Sequence, residues 1–301
     1  MRICITVILL FYSSLNYSQG TKIIVWDSLW NNQTTIMMDY LKRALQLTEA
    51  EYGDYELIKS IEMEQGRSLL EIAKLKNSKL DIAGYGATKE REEIAIPIRI
   101  PMLNGLMGYR ICLIKEGHQG LFDGIKNKQQ LIERNIIIGQ HKDWPDTDIL
   151  RANQLPVHTT YKKELLFQQL IRDRFNCFSR GTSEINAEYL AYQDQGIVIE
   201  DSLLIYYPLP LFFFVNKSRP LLAQRLQLGL ERLIESGEFE SIFNQNFASV
   251  INELRLTDRV IMDLNNPTLS EETIKATASS TVLFRSQYFR KDLGLIDMTG
   301  Q

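Results

Sequence analysis

The chain has 301 residues, of which 45% are hydrophobic and 24% are charged, and its formal net charge is −3 at pH 7. This composition is ordinary for a globular protein of one large or two average domains. A weakly negative chain offers no electrostatic basis for binding nucleic acid or an anionic membrane surface.

The first residues have the layout of a secretory signal peptide. Arg2 precedes the hydrophobic run 3–12, which is too short to span a bilayer, and small or polar residues follow it. We therefore expect residues 1–20 to be removed during export to the periplasm. The mature chain is then predicted to begin between Gln19 and Lys22.

Two cysteines, Cys112 and Cys177, remain after that removal. An oxidising compartment would allow them to pair. Both lie in strand-like runs, however, where cysteine commonly serves as a small buried hydrophobic residue. Pairing is left open, and we expect both residues to be replaceable by serine without loss of the fold.

Strand and helix patterns alternate in the first part of the mature chain. Runs of hydrophobic and β-branched residues indicate strands, and hydrophobic residues at helical spacing indicate helices. The predicted elements are a strand at 22–26, a loop at 27–33, a helix at 34–48, a strand at 55–61, a helix at 66–77 and a strand at 80–83. This β-α-β-α-β order is typical of a parallel sheet with helices on its faces.

A crossing segment then leads from this first unit into a second one. Thr88 and Arg91 have the spacing of a single helical turn. Pro97 and Pro101 exclude a longer helix and favour extended backbone before them. Residues 107–114 form a segment long enough to be a strand that leads from one lobe into another.

The alternation repeats beyond the crossing. The predicted elements are a loop at 117–124, a helix at 128–133, a strand at 135–139, a helix at 146–153, a strand at 155–158, a helix at 162–172, a strand at Phe175, a helix at 183–192 and a strand at 197–199. Two prolines keep 203–215 extended, and we interpret this segment as the return crossing. Helices at 220–236 and 238–247 are expected to pack on the first unit. Residues 251–264 allow one more helix, and 266–301 are predicted to be loosely ordered.

Two segments follow one scheme. Residues 174–181 (R-F-N-C-F-S-R-G) match residues 79–86 (K-L-D-I-A-G-Y-G) in the order basic, apolar, Asp or Asn, two apolar, small, variable, Gly. This weak internal repeat predicts two similar lobes facing each other, each an α/β unit with a mainly parallel sheet flanked by helices. We assign residues 21–110 and 204–265 to the first lobe and residues 111–203 to the second.

The sequence carries little sign of cofactor or metal chemistry. His118, His141 and His158 share no metal-ligand spacing. A G-x-S-x-G elbow and a phosphate-binding P-loop are both missing from the sequence. The G-Y-G-A-T-K segment lacks the third glycine of a dinucleotide-binding fingerprint. We therefore expect no cofactor, no metal and no covalent catalyst.

Four loops at the carboxyl ends of predicted strands are candidate binding elements, because open parallel sheets bind ligands there. They lie at 26–33, 84–91, 140–147 and 179–182. The third leads into a helix whose free N–H groups can hold an anion. Arg180 in the fourth can clamp a carboxylate with two hydrogen bonds. A solvated side chain or a structural ion pair is at least as good an interpretation of such an arginine. For Trp30 and Trp144, packing under the loop is an equally good interpretation.

Three motifs point to a known family. They are D-I-A-G-Y-G-A-T-K-E-R-E-E-I-A-I-P, G-Q-H-K-D-W-P-D-T before a helix, and the closing L-L-A-Q-R-L-Q-L-G-L-E-R-L-I-E-S-G-E-F-E-S-I-F. With the exported N-terminus and the two crossings, they make the chain similar, from Thr21 to Phe247, to periplasmic solute-binding proteins of the type II, amino-acid-binding class (family 3). The resemblance implies the two-lobed type II fold, with the crossings as its hinge.

The resemblance also implies roles for particular residues. Arg91 would bind the carboxylate of the ligand, assisted by Thr147 and the following helix start. Asn176 and Arg180 stand where the family usually has an acid for the amine of the ligand, and Glu184 follows them. With the aromatic loop residues, the predicted ligand-binding set is Trp26, Trp30, Tyr85, Arg91, Trp144, Thr147, Arg180 and Glu184.

An anion is expected at the centre of this set. Arg91 and Arg180 are predicted to face the gap between the lobes, with Thr147 close by. Two guanidiniums repel each other unless an anion lies between them, which favours closure on a carboxylate. Arg180→Ala is expected to weaken ligand binding about thirtyfold and to change the stability of the unliganded protein little.

The sequence thus predicts a monomeric, non-enzymatic periplasmic protein that binds a small carboxylate-bearing ligand by hinge closure. A membrane transporter or a sensor is its candidate partner, and nucleic acid is not. Two alternatives stay open. A small-acid dehydratase on the same fold would need Glu184, Asp146 or His141 as its acid or base. A sensing or partner-binding protein would keep the fold without a transporter.

Overall fold

The structure is a computed structural model that describes residues 20–31 and 35–278. Almost all of the predicted signal peptide lies outside the described residues. The elements of the first part are β1 (Thr21–Val25), α1 (Asp27–Asn31), α2 (Thr35–Gln46), α3 (Glu49–Tyr52), β2 (Tyr55–Lys59), α4 (Gln65–Ile72), β3 (Ile82–Gly86), α5 (Lys89–Ile94) and β4 (Ala95–Ile98).

The middle part alternates in the same way. Its elements are β5 (Tyr109–Lys115), α6 (Lys128–Glu133), β6 (Ile138–His141), α7 (Pro145–Ala152), β7 (Val157–Thr160), α8 (Lys163–Ile171), β8 (Cys177–Gly181), α9 (Ile185–Tyr192), β9 (Ile197–Ile199) and β10 (Leu203–Tyr206). The last part contains β11 (Leu211–Asn216), α10 (Pro220–Glu235), α11 (Glu238–Glu253), β12 (Val260–Asp263) and α12 (Glu271–Ala278).

The strands form two sheets, one in each lobe. The first sheet has the order β2-β1-β3-β11-β4, and the second has the order β12-β10-β5-β8-β6-β7, with β9 also paired to β5. β1, β2 and β3 run parallel, as do β6, β7 and β8, while β5 and β11 are antiparallel to their neighbours in β8 and β3. The predicted two-lobed α/β architecture is confirmed.

Both faces of the first sheet are covered. In β11, Phe212 and Phe214 belong to one hydrophobic cluster, whereas Phe213 and Val215 belong to another. Successive strand residues point to opposite faces, so each face has its own core. Pro97 is accommodated because β4 is an edge strand, where its missing N–H interrupts no ladder.

The predicted crossings are confirmed. β4 in the first sheet is followed by β5 in the second, and β10 in the second sheet is followed by β11 in the first. The helix α10 then packs on α2 of the first lobe. A Cβ atom at Gly229 would lie 2.2 Å from the Ala44 carbonyl oxygen, so only glycine permits this close approach.

The internal repeat has a structural counterpart. The Ile24 N–H donates to Asp81 Oδ2 at 2.8 Å, and the Ile137 N–H donates to Asn176 Oδ1 at 2.9 Å. Asp81 and Asn176 hold the same position in the two matching segments. Each therefore fixes the start of a central strand, β3 or β8, against the neighbouring parallel strand.

Three local predictions are wrong. Residues 27–31 form the short helix α1, in which the buried Leu29 packs inward. The proposed helix within 251–264 is replaced by the end of α11 and by β12, because Arg255 adopts a left-handed conformation (φ 50°) that ends the helical region. β10 and β12 pair with each other in the second sheet, although residues 204–265 were assigned to the first lobe. The remaining lobe boundaries stay a prediction.

The C-terminal segment also differs from its prediction. Instead of a loosely ordered tail, residues 264–270 lead from β12 back to the first lobe, where α12 packs on α5. Thr273 Oγ1 and Ser270 Oγ donate to the two oxygens of Glu92 at 2.6 and 2.9 Å. Leu269 is buried in the first-lobe core. The chain therefore connects the two lobes a third time; residues 279–301 lie outside the described part.

Cys112 and Cys177 form a disulfide, contrary to the favoured interpretation as two buried thiols. The two residues lie on β5 and β8, which are adjacent antiparallel strands, and their Cα atoms are 5.0 Å apart. Strand adjacency across a separation of 65 residues is not visible in the sequence pattern. The bridge links the strands that carry Arg110 and Arg180.

Candidate functional site

A cavity of about 910 Å³ lies between the lobes, where the carboxyl ends of β1, β3, β6 and β8 meet. Residues of both lobes line it, including five of the eight predicted ligand-binding residues. Those five are Trp26, Arg91, Trp144, Arg180 and Glu184. Trp30, Tyr85 and Thr147 do not line the cavity.

Arg91 enters the cavity from the first turn of α5. Thr88 caps this helix, because its Oγ1 accepts the Arg91 N–H at 3.3 Å. The buried guanidinium donates to the Gly86 carbonyl at 2.8 Å, to Gln65 Oε1 at 3.0 Å and to the Asp143 carbonyl at 3.0 Å. The last of these bonds reaches the second lobe.

The acceptors of Arg91 are all neutral, and among the described residues no carboxylate forms an ion pair with it. Burial lowers the pKa of the Arg91 guanidinium to about 10, so the group is still protonated at pH 7. A buried cation that forms no ion pair with the described residues favours the binding of an anion beside it.

Arg180 is neutralised within the protein. Its Nε and Nη2 donate to the two oxygens of Glu188 at 2.6 and 2.8 Å, and Nη2 also donates to Glu184 at 2.9 Å. Lys163 lies 2.7 Å from the same Glu188 carboxylate. Two cations therefore face two carboxylates, which corrects the expectation that Arg180 needs an external anion.

This ion network is buried, with Arg180 2% exposed. Burial opposes ionisation of Glu188, but the charge and hydrogen bond of Arg180 outweigh it and lower the pKa of that carboxyl. The Arg180 guanidinium also lies 4.5 Å from the centre of the Trp144 ring. Trp144 thus covers the network and presents its ring to the cavity.

Two positions at the start of α7 have no N–H group free for an anion. Pro145 at the first helical position has no N–H, and the Thr147 N–H donates to the Trp144 carbonyl at 3.1 Å. Thr147 Oγ1 donates to the His141 carbonyl at 3.0 Å. The carboxylate of Asp146 already lies in this first turn, where it interacts favourably with the helix dipole. The predicted role of Thr147 is therefore wrong, because its donors are used internally.

Tyr85 and Trp30 lie behind the cavity wall. Gly84 and Gly86 of β3 line the cavity, whereas Tyr85 between them points to the opposite face, where its hydroxyl donates to Ser68 Oγ at 2.8 Å. Tyr85 supports Arg91, whose guanidinium carbon lies 5.5 Å from the tyrosine ring centre. Trp30 packs against the first-lobe core.

Sequence reasoning missed Arg110 and gave Asp146 only a catalytic role. Arg110 lies on β5 and lines the cavity, with its Nη2 2.9 Å from Asp146 Oδ1. The Tyr207 hydroxyl donates to the same Asp146 oxygen. The sequence did contain a signal for Arg110, because it is a single arginine inside the hydrophobic run G-Y-R-I-C-L-I. A charged residue in a buried strand usually has a structural or functional role.

The residues of the enzyme alternative are all engaged by the protein. Asp146 contacts Arg110 and Tyr207, and Glu184 accepts from Arg180. His141 is 2% exposed, with its Nε2 2.6 Å from the Tyr161 carbonyl and its Nδ1 accepting the Asp143 N–H at 3.2 Å. Each of the three candidate acid–base residues therefore already has a partner within the protein.

Two sheets of mixed α/β lobes, joined by crossings around an inter-lobe cavity, define the type II periplasmic binding-protein fold. No protein-family model matches the sequence, and no curated protein sequence matches it. The fold assignment therefore depends on solved structures.

Many solved structures are similar to this chain at low sequence identity. An ancestral arginine-binding protein bound to arginine is 17% identical, with a TM-score of 0.53 over 76% of this chain and 99% of that one. The arginine-, lysine-, histidine-binding protein ArtJ from Geobacillus stearothermophilus is 14% identical, with a TM-score of 0.51 over 79% of this chain and all (100%) of that one.

A third structure bears on the enzyme alternative. The ancestral amino acid-binding protein AncCDT-1, a precursor of cyclohexadienyl dehydratase, is 16% identical, with a TM-score of 0.51 over 76% of this chain and 95% of that one. At such identities the similarity shows that the fold is shared.

Proposed function

We propose that this protein binds a small carboxylate-bearing ligand between its lobes and closes on it by a hinge motion about the crossing segments. The observation that carries the proposal is Arg91, a buried cation that lines the cavity and has only neutral acceptors. A ligand carboxylate would supply the missing negative charge.

The same residue explains how a ligand would act on both lobes. Arg91 belongs to α5 of the first lobe and donates to the Asp143 carbonyl of the second at 3.0 Å. A ligand shifts the equilibrium between open and closed states only if it interacts with them differently. An anion held by Arg91 at this inter-lobe contact meets that condition.

We extend the proposal to the setting of the protein. Solved proteins of this fold include an amino acid ABC transporter substrate-binding protein, and the disulfide suits an oxidising compartment. We propose an exported, monomeric, periplasmic binding protein that does not catalyse a reaction. Its partner would be a membrane transporter or a sensor.

A thermal-shift screen of the mature protein tests this function. We expect carboxylate-bearing small molecules to raise the unfolding temperature, because a ligand that binds the folded state stabilises it by mass action. Sugars and alcohols of the same size serve as controls. If no carboxylate raises the unfolding temperature at millimolar concentration, the proposed function is wrong.

A further inference from the structure

The charged residues of the cavity wall define the kind of anion that it accommodates. Arg110 is 2% exposed and lines the cavity. Its Nε and Nη2 make no hydrogen bond to any residue in the described part of the chain, although Nη2 lies 2.9 Å from Asp146 Oδ1. Among the described residues, Arg110 is the one buried side chain with unpaired polar atoms that lines the cavity.

The buried carboxylates of the wall, in contrast, are already engaged. The buried Asp146 accepts from Tyr207 and pairs with Arg110, and the half-buried Glu184 accepts from Arg180. Asp27 Oδ1 accepts the Met63 N–H at 3.2 Å. The wall thus has guanidinium donors without partners, while its buried acids already have protein partners. The other acids that line the cavity, Glu62, Glu64 and Glu164, are exposed to solvent.

Arg91 and Arg110 lie near the same acid. The negative charge of Asp146 acts on both guanidiniums and stabilises their protonated forms. Arg91 belongs to the first lobe and Arg110 to the strand that leads into the second. A small molecule in the cavity can therefore meet one guanidinium from each.

We propose that the cavity has two anion-binding groups, Arg91 and Arg110, and that its ligand is a small dicarboxylate with no ammonium group. This inference rests on the proposed function and makes it more specific. Each carboxylate would accept guanidinium N–H groups, and the second one would satisfy the buried donors of Arg110. The ammonium group of an α-amino acid would face a cavity wall whose buried carboxylates already have partners within the protein.

Isothermal titration calorimetry of matched ligands tests the proposal on the wild-type protein. The ligands are succinate, glutarate and adipate, each with its monoamide and with its 2-amino derivative. For the diacid of the right length, we expect the monoamide and the amino derivative to bind at least about tenfold more weakly. A monoamide or an amino acid that binds as tightly as the diacid would overturn the proposal and leave carboxylate binding intact.

The variant Arg110→Gln adds a second test. It should lower affinity for the diacid at least about tenfold and leave affinity for the monoamide within about twofold, because only the second carboxylate contacts Arg110. Arg172→Gln, at an exposed arginine outside the cavity lining, is the control. If Arg110→Gln does not fold, the wild-type comparison still decides. Equal losses for diacid and monoamide would contradict the assignment.

Discussion

Arg180 shows how a correctly located residue can have a different role from the one its position indicates. Its sequence position predicts a ligand contact, and the structure places it at the cavity with Glu184 and Glu188 as partners. Glu188 is eight residues away and reaches Arg180 only because α9 folds back over the end of β8. No local pattern in the sequence reports that contact.

The ion network around Arg180 replaces the prediction that Arg180→Ala changes the stability of the unliganded protein little. Arg180→Ala leaves the buried Glu188 with Lys163 as its ion-pair partner and removes the partner of the half-buried Glu184. Breaking a buried ion pair in this way typically costs about 3–5 kcal/mol. Urea unfolding should show a loss of that size, against less than about 0.5 kcal/mol for the exposed Arg172→Ala. A loss below about 1 kcal/mol would mean that the network contributes little.

The same network predicts how stability depends on pH. The pKa of Glu188 is lowered in the folded state, so the unfolded state binds its proton more readily. The contribution of Glu188 is therefore complete above its ordinary pKa of 4.5 and is lost as the pH falls through the lower folded-state value. Unfolding free energies measured from pH 7 to pH 3 should fall more steeply for the wild type than for Glu188→Gln. Parallel curves would contradict this assignment.

At the scale of elements, the hydrophobic periodicity predicted most helices and strands because it reports burial directly. It failed where pairing partners are distant in sequence. Residues 251–264 have enough hydrophobic residues for a helix, yet Val260 to Asp263 pair with β10. The third connection between the lobes was missed for the same reason, since Glu92 and Thr273 are far apart in the chain.

This third connection is expected to stabilise the position of α5, the helix that carries Arg91. Replacing Ser270 by alanine and Thr273 by valine removes the two hydroxyl donors of the largely buried Glu92 carboxylate, which keeps its ion pair with Arg99 at 2.6 Å. The double variant should lose about 2–4 kcal/mol, because hydrogen bonds to a charged group contribute more than neutral ones. Lys275→Ala on the exposed face of α12 is the control. Equal unfolding temperatures for the two variants would show that α12 is not held through Glu92.

The disulfide gives a prediction for the second lobe. Closing a loop with a sequence separation of 65 typically stabilises a protein by about 2–4 kcal/mol. The double variant Cys112→Ser, Cys177→Ser should therefore unfold at lower urea concentration than the oxidised wild type. The reduced wild type is the matched comparison, and mass spectrometry establishes its redox state. Two titratable thiols in the untreated protein would contradict the pairing.

For the whole molecule, the alternation of elements and the two crossings were enough to predict a two-lobed α/β protein, because both depend on local patterns. The site was predicted less completely. Arg91 was predicted from the family motif, whereas Arg110 was missed because a strand residue gives no sign of which cavity it faces. Tyr85 was misplaced because it was assigned to the loop after the strand, whereas β3 continues to Gly86 and its alternation turns the Tyr85 side chain away from the cavity.

In the structure as a whole, Arg91 lies where the two lobes meet and lines the cavity between them. It is buried, lies in the first lobe, donates to the second, and has no carboxylate partner among the described residues. Removing such a charged hydrogen-bonding partner from a ligand typically costs about 2–5 kcal/mol. The proposed function therefore makes Arg91 the residue whose loss harms binding most.

Calorimetric titration of the highest-affinity carboxylate into the wild type, Arg91→Gln and the control Arg172→Gln tests this claim most directly. We predict that Arg91→Gln weakens binding about thirtyfold or more, while Arg172→Gln binds like the wild type. Circular dichroism and unfolding temperature establish that each variant is folded. Binding by folded Arg91→Gln with wild-type affinity would contradict the account.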